Sequence, residues 1–289
     1  IDIGSGDTLV LRADDLAIGA PIRVPAGRIT LLPVTTDAGI GYVLGGAAGS
    51  NTAGRITLDS TELAFFPTGT PAAELILGAL GVTGSIDIAG TVPLATDGTN
   101  PRIGRLSLFG DGALTQGAGT TIDVATLSAI FPHGAVLLDP GNTGNRIAAL
   151  AGVVAGGAVT IRGGAGMMEL RNGGDGNAVV AGAGQDITLR ADDLDVQAAV
   201  RAPGGTINIL PETTGRSVTL GGAAAGTLAL TSAEIARLGG AGPALSAPGA
   251  VRLRIGSDGI ARTAGDILLI GDVSLRDGVA QRVGTLDLV

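Results

Sequence analysis

Two adjacent pairs of carboxylates are the residues of this sequence best suited to chemistry. Asp14 and Asp15 lie in the run LRADDL, and Asp192 and Asp193 lie in a second copy of that run. Neighbouring carboxylates can act as general acid and base, or can share a cation. Aspartates in a turn can instead cap backbone amides. Because an active site needs one constellation whereas a structural corner recurs, the duplication favours capping, and we predict no catalytic residue.

A glycine-rich stretch is the second candidate site. Residues 163–180 read GGAGMMELRNGGDGNAVV and resemble the nonapeptide repeats that bind calcium in β-rolls. Met168 stands where such a repeat has aspartate, and a second block begins ten residues on, at Gly173, with no third block. We therefore interpret the stretch as ordinary glycine turns and predict no metal-binding residue.

The other chemistry-bearing residues are few. His133, in the run FPHG, is the single histidine and cannot form a multi-histidine metal site, so we expect a turn residue. The chain has no cysteine, which excludes a disulfide scaffold and a Cys-ligated metal. It has no G-x-S-x-G elbow, P-loop or H-E-x-x-H motif. The glycine runs near residues 45 and 221 open no long helix, so no phosphate site and no cofactor are predicted.

Composition limits the partners and the core. A net charge of -8 and 18 scattered cations argue against nucleic acid and anionic membrane surfaces, which require a basic stripe. The apolar runs are too short for a transmembrane helix, so no membrane insertion is expected. With 45% hydrophobic residues and 2% aromatic residues, the core must consist of Val, Ile, Leu and Ala. The 51 glycines predict frequent sharp turns.

An internal repeat organises the chain. GDTLVLRADDL at 6–16 returns as GQDITLRADDL at 184–194, so that Leu11 matches Leu189. Further matched segments are 24–36 with 202–214, 42–50 with 218–226, 53–66 with 225–238, and 102–109 with 282–289. We place one repeat unit at about 6–183 and an incomplete second unit at 184–289. Because no polar linker divides the chain, a single domain over 1–289 is predicted.

Short strands recur within the repeat, because apolar residues alternate in triplets. The triplets are Leu9/Leu11, Leu16/Ile18, Ile22/Val24, Ile29/Leu31, Ile56/Leu58, Leu75/Leu77, Ile86/Ile88, Leu106/Leu108 and Ile122/Val124. From Leu9 to Ile29 three strands make a circuit of 20 residues, the size of one β-helix coil. We predict an all-β fold, a right-handed parallel β-helix (solenoid). The runs 58–69, 124–134 and 230–240 predict capped helical turns at its corners.

A family resemblance points to adhesion. ITLRADDLDVQAAVRAPGGTINILP at 187–211, VTLGG at 218–222 and LALTSAEIARL at 228–238 resemble repeat regions of filamentous haemagglutinin-like exoproteins. These are large adhesins and related effectors exported by two-partner secretion in Gram-negative bacteria. The resemblance implies a secreted, extracellular or cell-surface fibre, an outer-membrane transporter during export, and an unknown cell-surface or matrix receptor. The opening Ile1-Asp2-Ile3-Gly4, without Met, suggests a mature or excised piece of a longer protein.

Three functions are compatible with these expectations. The first is the passive shaft of an adhesin, which mediates attachment, cell–cell contact or biofilm formation and is not an enzyme. The second is a filament subunit whose copies stack end to end, or on neighbouring repeats, through their uncapped ends. The third is a β-helical polysaccharide lyase or hydrolase. The third is disfavoured because the chain has no Lys or Trp, one Tyr and no unique acidic cluster.

Overall fold

Two compact units make up the protein, residues 1–148 and residues 149–289. The structure, a computed structural model, describes residues 1–35, 39–47, 54–95, 101–139, 141, 144–240, 249–257, 264–277 and 280–289. Strands account for 52% of it and helix for 4%, which confirms the all-β class. The single-domain organisation over 1–289 stays a prediction. Residues 36, 48–50 and 53 of the matched segments lie outside the described ranges.

The first unit consists of short strands and one single-turn helix. In chain order they are β1 (Thr8–Arg12), β2 (Arg28–Leu32), β3 (Ile40–Leu44), β4 (Arg55–Leu58), α1 (Ser60–Ala64), β5 (Ala72–Leu77), β6 (Thr83–Ile88), β7 (Thr91–Pro93), β8 (Ile103–Phe109), β9 (Leu114–Gln116), β10 (Thr121–Phe131) and β11 (Val136–Leu138). The alternating apolar residues of these strands supply the core of the unit.

The second unit begins with longer strands. Its elements are β12 (Arg146–Ala155), whose first three residues belong to the first unit, β13 (Val159–Arg171), β14 (Asn177–Val180), β15 (Ile187–Val196), β16 (Ala199–Leu210), β17 (Val218–Leu220), β18 (Leu228–Leu230), α2 (Ser232–Ile235), β19 (Ala250–Ile255), β20 (Ile267–Leu269), β21 (Arg276–Asp277), β22 (Ala280–Gln281) and β23 (Val283–Leu288). β21 and β22 form a small antiparallel pair.

Parallel pairing stacks the apolar residues of the first unit into ladders. β1 pairs with β2, β2 with β5, and β5 with β8, which places Leu9, Ile29, Leu75 and Leu106 in one row. A second row joins β4, β3 and β6. Each short strand therefore buries its apolar residues only because a neighbour with the same alternation lies about 4.8 Å away.

The second unit repeats the same pairings in the same register. β15 pairs with β16, β16 with β19, and β19 with β23, which aligns Ile187, Ile207, Leu253 and Leu286. The row of β18, β17 and β20 corresponds to that of β4, β3 and β6. The sequence repeat is thus also a structural repeat, at the level of individual strand registers.

The predicted right-handed parallel β-helix is wrong. In the second unit the pairings β12–β13, β13–β15, β15–β16, β16–β14 and β14–β12 close into a five-stranded parallel barrel, and many other strands lie outside it. The prediction assumed short strands that each pair only with the coil above and below. Four of these five strands have 10 to 13 residues and reach two sets of partners, so the ladders join into a ring.

Two of the nine predicted triplets are not strands. Leu16/Ile18 and Ile22/Val24 lie in the described segment between β1 and β2, where the pairing is one isolated bridge from Asp2 to Arg23. Their counterparts in β15 and β16 are strands because β13 and β14 lie beside them. A strand of three residues forms only where a partner is present.

Two of the three predicted helical turns are present, each closed by a capping box. α1 is capped by Asp59 and Glu62, and α2 by Thr231 and Glu234. The third, 124–134, is wrong, because most of it belongs to strand β10, whose residues Leu127–Ile130 pair with β8. That run lacks the glutamate of the capping box. Among the described residues no helix is long and apolar enough to cross a membrane.

Candidate functional site

The first aspartate of each pair holds a neighbouring segment of backbone. Asp14, just after β1, accepts hydrogen bonds from the backbone N–H of Val34, and from the N–H and hydroxyl of Thr35, at 2.8, 2.8 and 2.6 Å. Asp192, within β15, accepts the same two bonds from Thr213, at 2.7 and 2.6 Å. In both copies this carboxylate therefore has the same role. It holds the backbone that follows the next strand, which is β2 in the first copy and β16 in the second.

Hydrogen bonding also sets the protonation state of Asp14. The hydroxyl of Thr35, followed by its backbone N–H, lowers the pKa of this carboxyl below the ordinary value of 3.8. A general acid at neutral pH needs the opposite shift, because it must hold its proton until the substrate takes it. The arrangement thus suits a fixed hydrogen-bond acceptor.

The second aspartate of the duplicated run in β15 is also engaged. The carboxylate of Asp193 accepts bonds from the backbone N–H of Leu194 at 3.0 Å and of Ala229 at 3.2 Å. Ala229 lies in β18, so this contact joins two rows of strands. Adjacent aspartates of one strand have side chains on opposite faces, so the pair does not converge on a single substrate or cation.

The glycine-rich stretch 163–180 forms the end of β13, a turn and β14. Met168 is buried and pairs with Leu194 of β15. In the turn, Asn172 accepts bonds from the N–H groups of Gly174 and Gly176, both at 2.8 Å. The side-chain amide of Asn177 donates to Asp175 at 3.0 Å and is the main cause of a lowered pKa at that carboxyl. The polar oxygens of the turn thus have partners within the turn.

His133 and the two glycine runs lie in turns. His133 is exposed in the turn between β10 and β11, where Gly134 donates to Phe131 at 3.1 Å. Gly45 and Gly221 come after β3 and β17 with positive φ, and their N–H groups donate to the strand that precedes each helix. In the described residues no three His, Asp or Glu side chains lie close enough to hold a metal ion.

No known family, curated protein or solved structure matches this chain. The resemblance to filamentous haemagglutinin-like repeats, and the secretion and adhesion that it implies, therefore stay predictions. The function of the chain has to be inferred from its own geometry.

The glutamates of the two capping boxes do more than cap a helix. One oxygen of Glu62 closes the box at Asp59, and the other accepts the backbone N–H of Ile18 at 2.7 Å. Glu234 does the same with the N–H of Val196, at 3.0 Å. Each single-turn helix is therefore hydrogen-bonded, through its glutamate, to the segment just after the duplicated aspartates.

A buried ion pair was missed by the sequence reasoning. Arg162 of β13 donates from Nε to Glu212 at 2.7 Å, and a second contact through Nη2 makes the pair bidentate. The side chains are 2% and 6% exposed. The sequence did contain a sign of this site. The first copy of the repeat has Val34 where the second copy has Glu212, so a charged residue stands in place of an apolar one.

A buried amide pair was also missed. Gln116 of β9 and Asn145 exchange reciprocal hydrogen bonds of 2.8 and 2.9 Å, and Asn145 accepts the N–H of Ile122 at 3.0 Å. The sign of this pair in the sequence was Gln116, a polar residue at an inward position of β9 where the alternation predicts an apolar one. Both buried polar sites link strands to one another, and buried polar groups must be hydrogen-bonded in this way if the fold is to tolerate them.

Proposed function

We propose that this chain is a structural repeat segment of a large secreted bacterial surface fibre or adhesin. In this role it mediates attachment or cell–cell contact as a non-catalytic spacer. The observation that carries the proposal is the recurrence of the Asp14–Thr35 contact as Asp192–Thr213, in the same strand register. A contact that recurs together with the strands around it indicates that the architecture of the repeat is preserved. An active site, by contrast, needs only one copy of its residues.

The polar chemistry of the described residues supports the same role. Carboxylates that could act on a substrate accept backbone N–H groups instead, as Glu62, Glu234 and Asp193 do. A polysaccharide hydrolase requires carboxylates that face the sugar and differ in pKa, and a lyase requires a base in the same place. The hydrogen-bonded aspartates of this protein favour a structural role over that alternative.

Surface localisation can be tested with antibodies raised against the 289-residue chain. We expect them to label intact cells of the bacterium that makes it. We also expect an in-frame deletion of residues 1–289 to reduce attachment or cell–cell contact several-fold. Labelling that requires permeabilised cells, or attachment unchanged by the deletion, would contradict the proposal.

The non-catalytic role needs a separate assay. The purified chain is incubated with a panel of acidic and neutral polysaccharides, and new reducing ends or unsaturated products are measured over time. We expect no turnover. Turnover that is abolished by Asp14→Asn or Asp192→Asn in a folded variant would replace the spacer role with an enzymatic one.

A further inference from the structure

The strand β13 packs against residues that the sequence provides twice. Its apolar residues pair in register with those of β15, as Val159 with Ile187, Ile161 with Leu189, Met168 with Leu194 and Leu170 with Val196. The first copy of the repeat has apolar residues of similar size at the same four positions of β15, namely Leu9, Leu11, Leu16 and Ile18. Apolar packing alone therefore does not distinguish the two copies as partners for β13.

Arg162 is the residue of β13 that does distinguish the copies. It pairs in register with Arg190 of β15, and its guanidinium donates to Glu212 in the segment after β16. The first copy keeps the arginine of β15, as Arg12, but has Val34 in place of Glu212. If β13 paired with the first copy, Arg162 would lie beside a second arginine, with no carboxylate at the position of Glu212.

Burial makes this difference between the copies large. The side chains of Arg162 and Glu212 are 2% and 6% exposed. Removing the carboxylate from a buried guanidinium disfavours the pairing by on the order of 100- to 1,000-fold. Proximity along the chain favours β15 over the first copy by only about tenfold, because the entropy of closing a loop grows slowly with its length. The ion pair is thus the stronger of the two factors.

We propose that the ion pair of Arg162 and Glu212 selects the partner of β13, so that β13 pairs with β15 and not with the matching residues of the other copy. The selection takes place while the chain folds. In the unfolded chain every strand is unpaired, so the selection does not depend on which strands lie at an edge of the folded protein.

Stability alone does not account for a buried ion pair at this place. An apolar pair of similar volume can stabilise a fold as well as a buried ion pair does. An apolar pair at positions 162 and 212 would, however, fit the valine of the first copy equally well. Tandem copies with one apolar pattern make pairing with the wrong copy possible, and a buried charge with a single correct partner opposes that error.

This inference goes beyond the spacer role, because it concerns how the chain reaches its fold. It requires the internal repeat, but neither secretion nor attachment. The spacer role would therefore survive its failure, and the inference would survive the failure of the spacer role.

A competition between two disulfides tests the inference, since the chain has no cysteine of its own. Thr160 of β13 pairs with Thr188 of β15, and Val10 is the counterpart of Thr188 in the first copy. In the triple variant Val10→Cys, Thr160→Cys, Thr188→Cys, the cysteine at position 160 can join either of the other two. The chain is unfolded in urea and diluted into a glutathione redox buffer, and its disulfides are quantified by mass spectrometry of tryptic peptides.

The position of the carboxylate should decide the outcome. With Glu212 present, we expect position 160 to join position 188 at least about tenfold more often than position 10. Adding Glu212→Val should raise the share joined to position 10 by about tenfold or more. Adding Val34→Glu as well moves the carboxylate to the first copy and should raise that share further. Val34 is 57% exposed, so the fold tolerates glutamate there.

The last comparison separates partner selection from mere loss of stability. If Glu212→Val only loosened the fold, Val34→Glu would add nothing to the share joined to position 10. Glu169→Gln is the matched control, because it removes a carboxylate from the surface pair with Arg171 and should leave the shares unchanged. The inference is overturned if Glu212→Val leaves the shares unchanged, if Val34→Glu has no further effect, or if Glu169→Gln acts like Glu212→Val.

Discussion

The carboxylate of Asp192 accepts hydrogen bonds from both the backbone N–H and the hydroxyl of Thr213, at 2.7 and 2.6 Å. Asp14 and Thr35 make the same two bonds in the first unit, at 2.8 and 2.6 Å. In both copies an aspartate three residues after the matched leucine, Leu11 or Leu189, thereby sets the path of the chain after the next strand. The strand registers around the two contacts are also the same, so the contact and the pairing belong to one repeated unit of architecture.

Loss of the Asp192 carboxylate should destabilise the protein. Asp192→Ala removes two hydrogen bonds to a carboxylate at a part-buried contact, and we expect the free energy of unfolding to fall by about 1–3 kcal/mol. Asp195→Ala is the control, because Asp195 holds only the side chain of Gln197 at the surface. Urea unfolding followed by circular dichroism measures both, and equal effects of the two substitutions would contradict the structural role of Asp192.

The pKa of Asp14 should respond to Thr35. Because the Thr35 hydroxyl lowers this pKa, the carboxylate stabilises the fold above pH 3.8, and that contribution is lost as the pH falls through the folded-state pKa. Thr35→Val removes the hydroxyl and should raise the pKa of Asp14. Carboxyl carbon shifts of Asp14, recorded by NMR across the acidic range, give the value. A midpoint unchanged by Thr35→Val would show that the bond does not exist in solution.

The buried pair of Arg162 and Glu212 should be costly to break on one side only. Glu212→Ala removes the bidentate carboxylate from a buried guanidinium, and we expect a loss of about 3–5 kcal/mol of unfolding free energy. The double variant Arg162→Leu with Glu212→Val, which uses the valine found at the equivalent position 34, should recover most of it. Glu169→Ala, at the exposed pair with Arg171, should cost less than about 1 kcal/mol. A double variant no better than Glu212→Ala would refute this account.

A close glycine contact recurs in both units and should tolerate no side chain. A Cβ on Gly90 would lie 1.6 Å from the carbonyl oxygen of Gly45, and one on Gly271 would lie 2.1 Å from that of Gly221. We expect Gly90→Ala to lower the free energy of unfolding by about 1–3 kcal/mol. Gly19→Ala, with open space around its Cβ, should be neutral or stabilise by about 0.4–1 kcal/mol. Thermal unfolding that ranks the two variants in the opposite order would contradict the contact.

The sequence predicted the strands better than it predicted how they close. Alternation placed Leu9/Leu11 and Ile29/Leu31 correctly, because a half-buried strand shows its period locally. It failed at Leu16/Ile18, where strand formation depends on a neighbour that the local pattern does not reveal. The barrel of β12 to β16 could not be predicted, because its closure depends on which distant strands each long strand reaches.

The polar contacts were predictable only where the residue type implies a local partner. Glutamate three residues after Asp59 or Thr231 predicts a capping box, because both partners lie in one turn. The partner of Glu212 lies 50 residues away in β13, at a distance that no local pattern can fix. Comparison of the two copies would have marked Glu212 as a departure from Val34, but would not have identified Arg162.

Disulfide cross-linking tests the duplicated parallel register most directly, since the chain has no cysteine of its own. Val10 pairs with Thr30, and Thr188 pairs with Asn208 in the second copy. Adjacent strands lie about 4.8 Å apart, within the Cα separation of about 4.4–6.8 Å that a disulfide spans.

We therefore predict that the double variants Val10→Cys with Thr30→Cys and Thr188→Cys with Asn208→Cys both oxidise rapidly to an intramolecular disulfide. The combination of Val10→Cys with Leu32→Cys, shifted by two residues, should oxidise slowly. Cross-linking in one copy alone, or equal rates for the matched and shifted pairs, would contradict the repeated architecture on which the proposed function depends.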